Sequence, residues 1–307
     1  MRKPDFVVIG AQKAGSTYLL EQIGGHPQIY MFRGEDPHFL DPDYGAASQE
    51  AFAARYDRPE PIVGFKRPNY LGEPEVAPRI AADLPHAKLI AVLRNPVDRA
   101  ISAYYHVLGV NVLPLQDAER GLAQILDGDL DHLRLARSVL EYGLYAKHLR
   151  QYLQYFDRDR LHLLLTGDIR SRPIESLQEC YQFLGADPAH RPSDREARRR
   201  PMATTSSLPR LRIRRAAIDR LHELYHDRSR TRPRPGLLMG VLGTAYNTMD
   251  RQVLSRVLPN PKSRISAELR QRLYDFFADD IADLETILGR PLDGWRPTAQ
   301  ARGANGA

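Results

Sequence analysis

Phe6-Val7-Val8-Ile9-Gly10-Ala11-Gln12-Lys13-Ala14-Gly15-Ser16-Thr17 joins an apolar run to a glycine-bearing turn, and a helical pattern, Tyr18–Ile23, follows directly. Strand, turn and helix N-terminus in that order present backbone N–H groups and a positive dipole end to an anion. Gly10 and Gly15 keep the spacing of the nucleotide-triphosphatase loop G-x-x-x-x-G-K-[ST]. Ser16, however, takes the lysine slot, and Lys13 lies three residues earlier, inside the turn. A lysine there addresses a different oxygen of the bound anion from one on the first helical turn. The stretch predicts phosphate recognition without ATP or GTP hydrolysis.

Further along, Leu89–Leu93 and Leu161–Leu165 are short apolar runs of strand length, with a weaker one at Ile62–Phe65. Helical patterns cover Pro74–Asp83, Pro96–Leu108, Leu140–Phe156 and Ile174–Leu184. This alternation predicts an α/β, P-loop-like three-layer sandwich with a central parallel sheet flanked by helices. Ligands bind such sheets at the carboxyl ends of the strands. Both the 10–17 turn and Arg94-Asn95-Pro96 fall there. A last helix is expected over Ser266–Leu288, with Ser266 as N-cap although Glu268 comes one residue early for a capping box. Leu269, Leu273, Phe276, Phe277, Ile281, Leu284 and Leu288 recur along it at core-packing spacing.

The 307 residues, 42% hydrophobic and 27% charged, are those of a globular chain, read as one domain over 1–307. No run approaches the ~18 apolar residues of a membrane span. The N-terminus reaches its first strand too soon for a signal peptide, and Cys180 is the only cysteine. Together these predict a cytoplasmic protein without disulfides. The histidines show no metal-ligand spacing, so no metal is expected. The net charge of +6 favours anionic ligands. Between Arg191 and Arg234 there are fourteen arginines against five acidic residues, within a basic, flexible insertion expected at about 190–260. That stretch reads either as a solvated surface or as a face that steers an acidic partner. No nucleic-acid-binding motif accompanies it, and no nucleic acid is expected to bind.

A second anion site is readable in Leu93-Arg94-Asn95-Pro96-Val97-Asp98-Arg99-Ala100-Ile101-Ser102. The strand ends in an arginine, Pro96 suits a first helical turn, and Ser102 shares a helix face with Asp98 and Arg99. Arg94 is suited to a bidentate pair with phosphate while Ser102 donates a hydroxyl. A P-loop triphosphatase would end the comparable strand in a magnesium-binding aspartate.

Together these segments resemble the sulfotransferases that use 3′-phosphoadenosine 5′-phosphosulfate (PAPS). Gly10–Thr17 resembles the family's 5′-phosphosulfate loop, and Arg94–Ser102 its 3′-phosphate motif. Asp36-Pro37-His38-Phe39, Lys66-Arg67-Pro68-Asn69-Tyr70 and Tyr145-Ala146-Lys147-His148-Leu149 are similar to segments of the heparan sulfate (glucosaminyl) branch. Lys262-Ser263-Arg264 resembles the basic loop that closes over the nucleotide, and Gly294-Trp295 the usual terminus. The resemblance covers about 5–185 and 260–296, and no counterpart is recognised for the arginine-rich stretch between them.

The resemblance implies transfer of a sulfuryl group from PAPS to a hydroxyl, or to an amine, of a glycan or small-molecule acceptor, without a metal. Lys13, Ala14, Gly15, Ser16, Thr17, Arg94, Ser102, Lys262, Ser263 and Arg264 would bind the donor. Lys13 would stabilise charge on the oxygen bridging sulfur and phosphate, and Lys66 would neutralise the sulfuryl oxygens. The acceptor supplies the nucleophile, so the protein need supply only a general base. The family pattern has a glutamate directly before Pro-His-Phe. Here Asp36 stands in that place with Glu35 one residue back, and both remain candidates, with His38 as a third whose alternative is a buried, hydrogen-bonded ring. Tyr145, Lys147 and His148 are candidates for lining the acceptor groove. Two rivals make different demands: a P-loop nucleotide kinase would need a lysine at position 16 and an acidic end to the second strand, and a non-catalytic module for acidic glycans would not need two intact phosphate motifs.

Overall fold

A computed structural model describes residues 2–35, 38–41, 44–45, 50, 52–191, 205–224, 231–233, 237–261 and 265–296. In chain order its elements are β1 (Phe6–Gly10), α1 (Ser16–Ile23), β2 (Ile29–Glu35), β3 (Ile62–Lys66), α2 (Val76–Asp83), β4 (Lys88–Leu93), α3 (Pro96–Gly109) and α4 (Ala118–Leu126). There follow α5 (Arg134–Glu141), α6 (Tyr145–Tyr152), β5 (Leu161–Leu165), α7 (Thr166–Ser171), α8 (Pro173–Leu184), α9 (Leu208–Leu221), β6 (His222–Leu224), β7 (Thr231–Pro233), α10 (Leu237–Met249) and α11 (Ala267–Leu288). The chain forms two compact units. The first takes Met1–Asn95, Leu144–Met202 and Asp279–Leu292, and the second takes Pro96–Gly143, Ala203–Ala278 and Asp293–Ala307.

The first unit holds a parallel sheet in the order β2-β3-β1-β4-β5, flanked by helices as the alternation predicts. Strands covered on both faces read as continuous apolar runs rather than alternating ones. Phe6, Val7, Val8 and Ile9 of β1 and Leu89 to Leu93 of β4 are accordingly buried. β2 carries no such signal. It runs through Arg33 and Gly34, lies at the sheet edge, and bulges against β3, four of its residue steps from Met31 to Glu35 spanning two from Gly64 to Lys66. An aromatic cluster, Phe39, Phe52, Tyr56, Phe65 and Tyr70, packs beside it.

The helix read as Leu140–Phe156 is two helices, α5 and α6, parted at Tyr142-Gly143-Leu144. Helical spacing carries across Gly143, but glycine weakens a helix interior by about 0.5–1 kcal/mol. The α6 N-terminus is then satisfied from far along the chain: the Asp280 carboxylate accepts the Ala146 and Lys147 N–H groups at 3.0 and 2.9 Å. Burial raises the Asp280 pKa, and those two N–H groups pull it the other way.

In the second unit Ser266 caps α11 as its position predicts, its hydroxyl accepting the Leu269 N–H at 3.0 Å. The missing half of the capping box comes from another helix: Glu119 of α4 accepts the Ser266 N–H at 2.7 Å and its hydroxyl at 2.6 Å. α9 is joined to the helical run after α10 by a buried bidentate pair, Arg210 to Asp250, at 2.6 and 2.7 Å.

One backbone contact in the sheet yields a direct stability prediction. Gly64 pairs in register with Phe6, and a Cβ at Gly64 would overlap the fully buried Phe6 ring. Gly64→Ala is expected to destabilise the fold by about 1–3 kcal/mol, the usual cost of overpacking a filled core. Chemical denaturation of the two proteins measures it, and equal midpoints at equal slope would contradict this packing.

Candidate active site

Parallel pairing brings five strand ends to one edge of the first unit. Read across the sheet, β2 ends at Glu35, β3 at Lys66 with Arg67 next, β1 at Gly10 and its turn, β4 at Leu93 with Arg94 next, and β5 at Leu165 with Thr166 next. The chain leaves β1 toward β2 on one side while β4 and β5 lie on the other. This reversal of strand order opens the crevice where ligands of such sheets bind. At about 4.8 Å between strands, the backbone of Glu35 stands about 10 Å from the axis of β1.

The turn after β1 is held by groups from several strands. The Ala11 N–H donates to Val92 O at 2.8 Å, and the Arg67 N–H donates to Val8 O at 3.0 Å. The Arg94 guanidinium donates to Lys13 O at 3.3 Å. The Thr166 hydroxyl lies 2.6 Å from Ala14 O and 3.1 Å from Leu93 O, and the Tyr145 hydroxyl donates to Arg94 O at 2.9 Å. Within this frame Lys13 adopts φ +68° and Gly15 φ +90°. Glycine takes the left-handed region freely, whereas a residue with a Cβ held there carries about 1–3 kcal/mol of strain, a cost that collects at functional sites.

The electrostatics agree with an anion site. Burial lowers the Lys13 pKa below its ordinary value, and the Arg94 charge beside it lowers it further. Lys66 is half-buried and Arg67 buried at the neighbouring strand end. The α1 N-terminus, opened by Ser16 and Thr17, adds its dipole.

Of the residues expected from the sequence, Lys13, Ala14, Gly15, Ser16, Thr17, Lys66, Arg94 and the backbone of Glu35 thus come to one edge. Asp36 and Lys262-Ser263-Arg264 lie outside the described residues. The His38 ring is buried, stacked on Phe52 at 4.1 Å between centroids, with Nε2 3.6 Å from Asp83 Oδ2. Tyr145 and His148 are buried on α6, and Lys147 is exposed.

Ser102 is half-buried on α3 in the second unit, where Asp98 pairs with Arg270 at 3.0 Å and the fully buried Arg99 donates to Val139 O. Within that unit a cavity of about 580 Å³ is lined by Tyr105, one helical turn beyond Ser102, by Ser206 and Ser207, and by Pro259 and Pro261. Thr166 escaped the sequence reading. The one available signal was its place directly after an apolar strand.

The sulfotransferase domain family matches residues 3–252. The chain belongs to the sulfotransferase family. Human heparan sulfate glucosamine 3-O-sulfotransferase 6 is 31% identical to it over 243 residues, covering 73% of this chain and 69% of that protein. Mouse heparan sulfate glucosamine 3-O-sulfotransferase 3B1 is 32% identical over 192 residues, covering 59% and 46% respectively. The crystal structure of a sulfotransferase from Alicyclobacillus acidocaldarius shares the fold at a TM-score of 0.66 and 22% identity, over 97% of this chain and 100% of that one.

The family match runs through the arginine-rich stretch, for which the sequence alone offered no counterpart. The expected cytoplasmic location is corrected, because the heparan sulfate sulfotransferases that the chain matches are Golgi-resident. No described helix is long and apolar enough to cross a membrane.

Thr166→Val keeps the shape of that side chain and removes the hydroxyl that faces Ala14 O. Loss of one such hydrogen bond is worth about 1 kcal/mol, so Thr166→Val should lower the unfolding free energy by about that amount. Chemical denaturation of both proteins measures it, and equal midpoints at equal slope would remove Thr166 from the support of the loop.

Proposed function

We propose that this sulfotransferase uses PAPS as donor and sulfates a hydroxyl of a glucosamine-containing glycan. The observation that carries the reading is the strained turn at Lys13, braced by Arg94 and Thr166 at the carboxyl edge of a parallel sheet. The acceptor class rests on the relatives' specificity for heparan sulfate glucosamine.

In the proposed reaction the acceptor oxygen attacks sulfur as the bond from sulfur to the bridging oxygen breaks. The electron pair stays with the 5′-phosphate of the departing adenosine 3′,5′-bisphosphate. Lys13 and the N–H groups at the start of α1 stabilise that developing charge, and Lys66 neutralises the sulfuryl oxygens as they pass between donor and acceptor. Arg94 takes a donor phosphate, while the assignment of Ser102 and Lys262-Ser263-Arg264 to the 3′-phosphate rests on their motifs. The acceptor proton goes to a carboxylate at the end of β2. Glu35 is favoured over Asp36 because its backbone is paired in register with Lys66. A base on a ladder is placed more firmly than one beyond it.

Incubation with sulfur-labelled PAPS and a panel of heparan-type oligosaccharides tests the whole reading. Label transfer to a glucosamine hydroxyl supports it, and transfer only to non-carbohydrate acceptors would overturn the acceptor class.

Lys13→Ala should lower kcat by about 10²–10³-fold, the range for loss of one transition-state electrostatic group. Lys13 has its folded-state pKa lowered, so it loses its proton at a lower pH than an ordinary lysine at 10.5. Activity should therefore decline on the alkaline side as pH rises through that lowered pKa, and Lys13→Arg, which stays charged, should move the decline upward. A pH–rate profile whose alkaline limb is the same in Lys13→Arg as in wild type would contradict the assignment.

Glu35→Gln keeps side-chain shape and removes the basic form, so it should cost about 10²–10⁴-fold in kcat while donor affinity is retained. Asp36→Asn should cost less than about tenfold, as expected of a neighbour that only orients the strand end. Single-turnover rates with both variants decide it, and the reverse ranking would make Asp36 the base.

A further inference from the structure

We propose that the second unit docks on an anionic lipid surface through the outer face of the helical run from α10 to Val257. α10 continues through a π turn, Asp250–Leu254, into Ser255–Val257. Gly243 and Asp250 are buried, and the Arg210–Asp250 pair fixes which side of the run turns inward, to α9. Beside that buried line the run exposes Leu242, Met249, Val253 and Val257, at spacings of seven, four and four, with Val241 and Ile213 of α9 also exposed. These six side chains are 40% to 69% exposed, an apolar area of the kind that marks an interaction site.

The charge around this face selects the partner. Residues 205–224 and 237–261, which hold α9 and this helical run, contain seven arginines, no lysine and three acidic residues, a surplus of +4. Arg212, Arg220, Arg251 and Arg256 are exposed in this segment. Apolar side chains with surrounding arginines are the composition of a helix lying in the interface of a membrane with anionic headgroups. Asp250, Arg251 and Arg256 interrupt the run, and it does not qualify as a span. A second copy of the chain fits worse, since a two-fold contact through this face would set the positive surplus against itself. A sulfated glycan would meet the arginines and leave the valines, leucine and methionine uncovered.

Co-sedimentation of the full chain with vesicles tests the proposal. Vesicles of phosphatidylcholine mixed with phosphatidylserine should retain the protein, and vesicles of phosphatidylcholine alone should retain at least about tenfold less. Raising the salt from about 0.1 M to about 1 M, which shortens the screening length from about 10 to about 3 Å, should release it. Val253→Asp/Val257→Asp should lower the partition at least about tenfold with an unchanged melting temperature, because both residues are exposed. Arg251→Gln/Arg256→Gln should lower it on mixed vesicles alone.

Equal sedimentation with and without vesicles would overturn the proposal. So would retention that the valine variant does not change, or light scattering that shows a dimer lost in that variant. Binding to heparin that survives the valine substitutions, in a protein that no vesicle retains, would assign the arginines to a glycan instead.

Discussion

In the proposed reaction the turn between β1 and α1 offers N–H groups and a lysine to an anion, and it lacks the freedom of a surface loop. Its bracing comes from neighbours that are remote in sequence: Val92 accepts from Ala11, Arg94 donates to Lys13 O, and Thr166 reaches Ala14 O. Each brace comes from β4 or β5 or from the residue directly after one of them. The position of those strands therefore sets the geometry of the turn, and Tyr145 in α6 in turn holds Arg94 by its carbonyl. Strain at Lys13 persists because these surroundings over-determine it.

The same arrangement gathers like charges. Lys13, Lys66, Arg67 and Arg94 belong to three adjacent strand ends, and the α1 dipole points its positive end the same way. Two like charges about 5 Å apart at an effective dielectric of about 20 repel by about 3 kcal/mol. Burial first, and the neighbouring Arg94 charge second, lower the pKa of Lys13. In the proposed reaction the donor's phosphates would bring negative charge to this edge, and a ligand that binds the folded chain alone stabilises it.

What the sequence makes legible follows from how local the signal is. β1, β4 and β5 read directly as apolar runs because helices cover both faces, and the strand–turn–helix form of the 10–17 and 94–102 stretches read directly because each is local in sequence. β2 did not, since an edge strand with a bulge and with Arg33 and Gly34 in it shows neither alternation nor a continuous apolar run. The break at Gly143 was hidden by helical spacing that runs across it. Thr166 stands 152 residues from the carbonyl it faces, and Asp280 stands 133 residues from Lys147, so no window of sequence contains either partnership. His38 carried two readings, and its ring lies buried among Phe39, Tyr44 and Phe52, contacts that no sequence window shows.

The arginine-rich segment shows the limit from the other side, because there composition is loud and spacing says little. Arg210, Arg212, Arg214 and Arg215 follow one another at intervals of two, two and one, which marks no helix face, yet they lie on α9. Tertiary partners give them different work. Arg210 is buried against Asp250, whereas Arg215 donates to the carbonyls of Leu108 and Leu113. Arg212 remains exposed. A buried guanidinium is tolerable only where its donors are matched, so Arg210 required Asp250 forty residues away. The charge that spacing could not allocate is therefore divided by burial: paired arginines fix the packing of the unit, and exposed ones, with Val253 and Val257, set what its surface attracts.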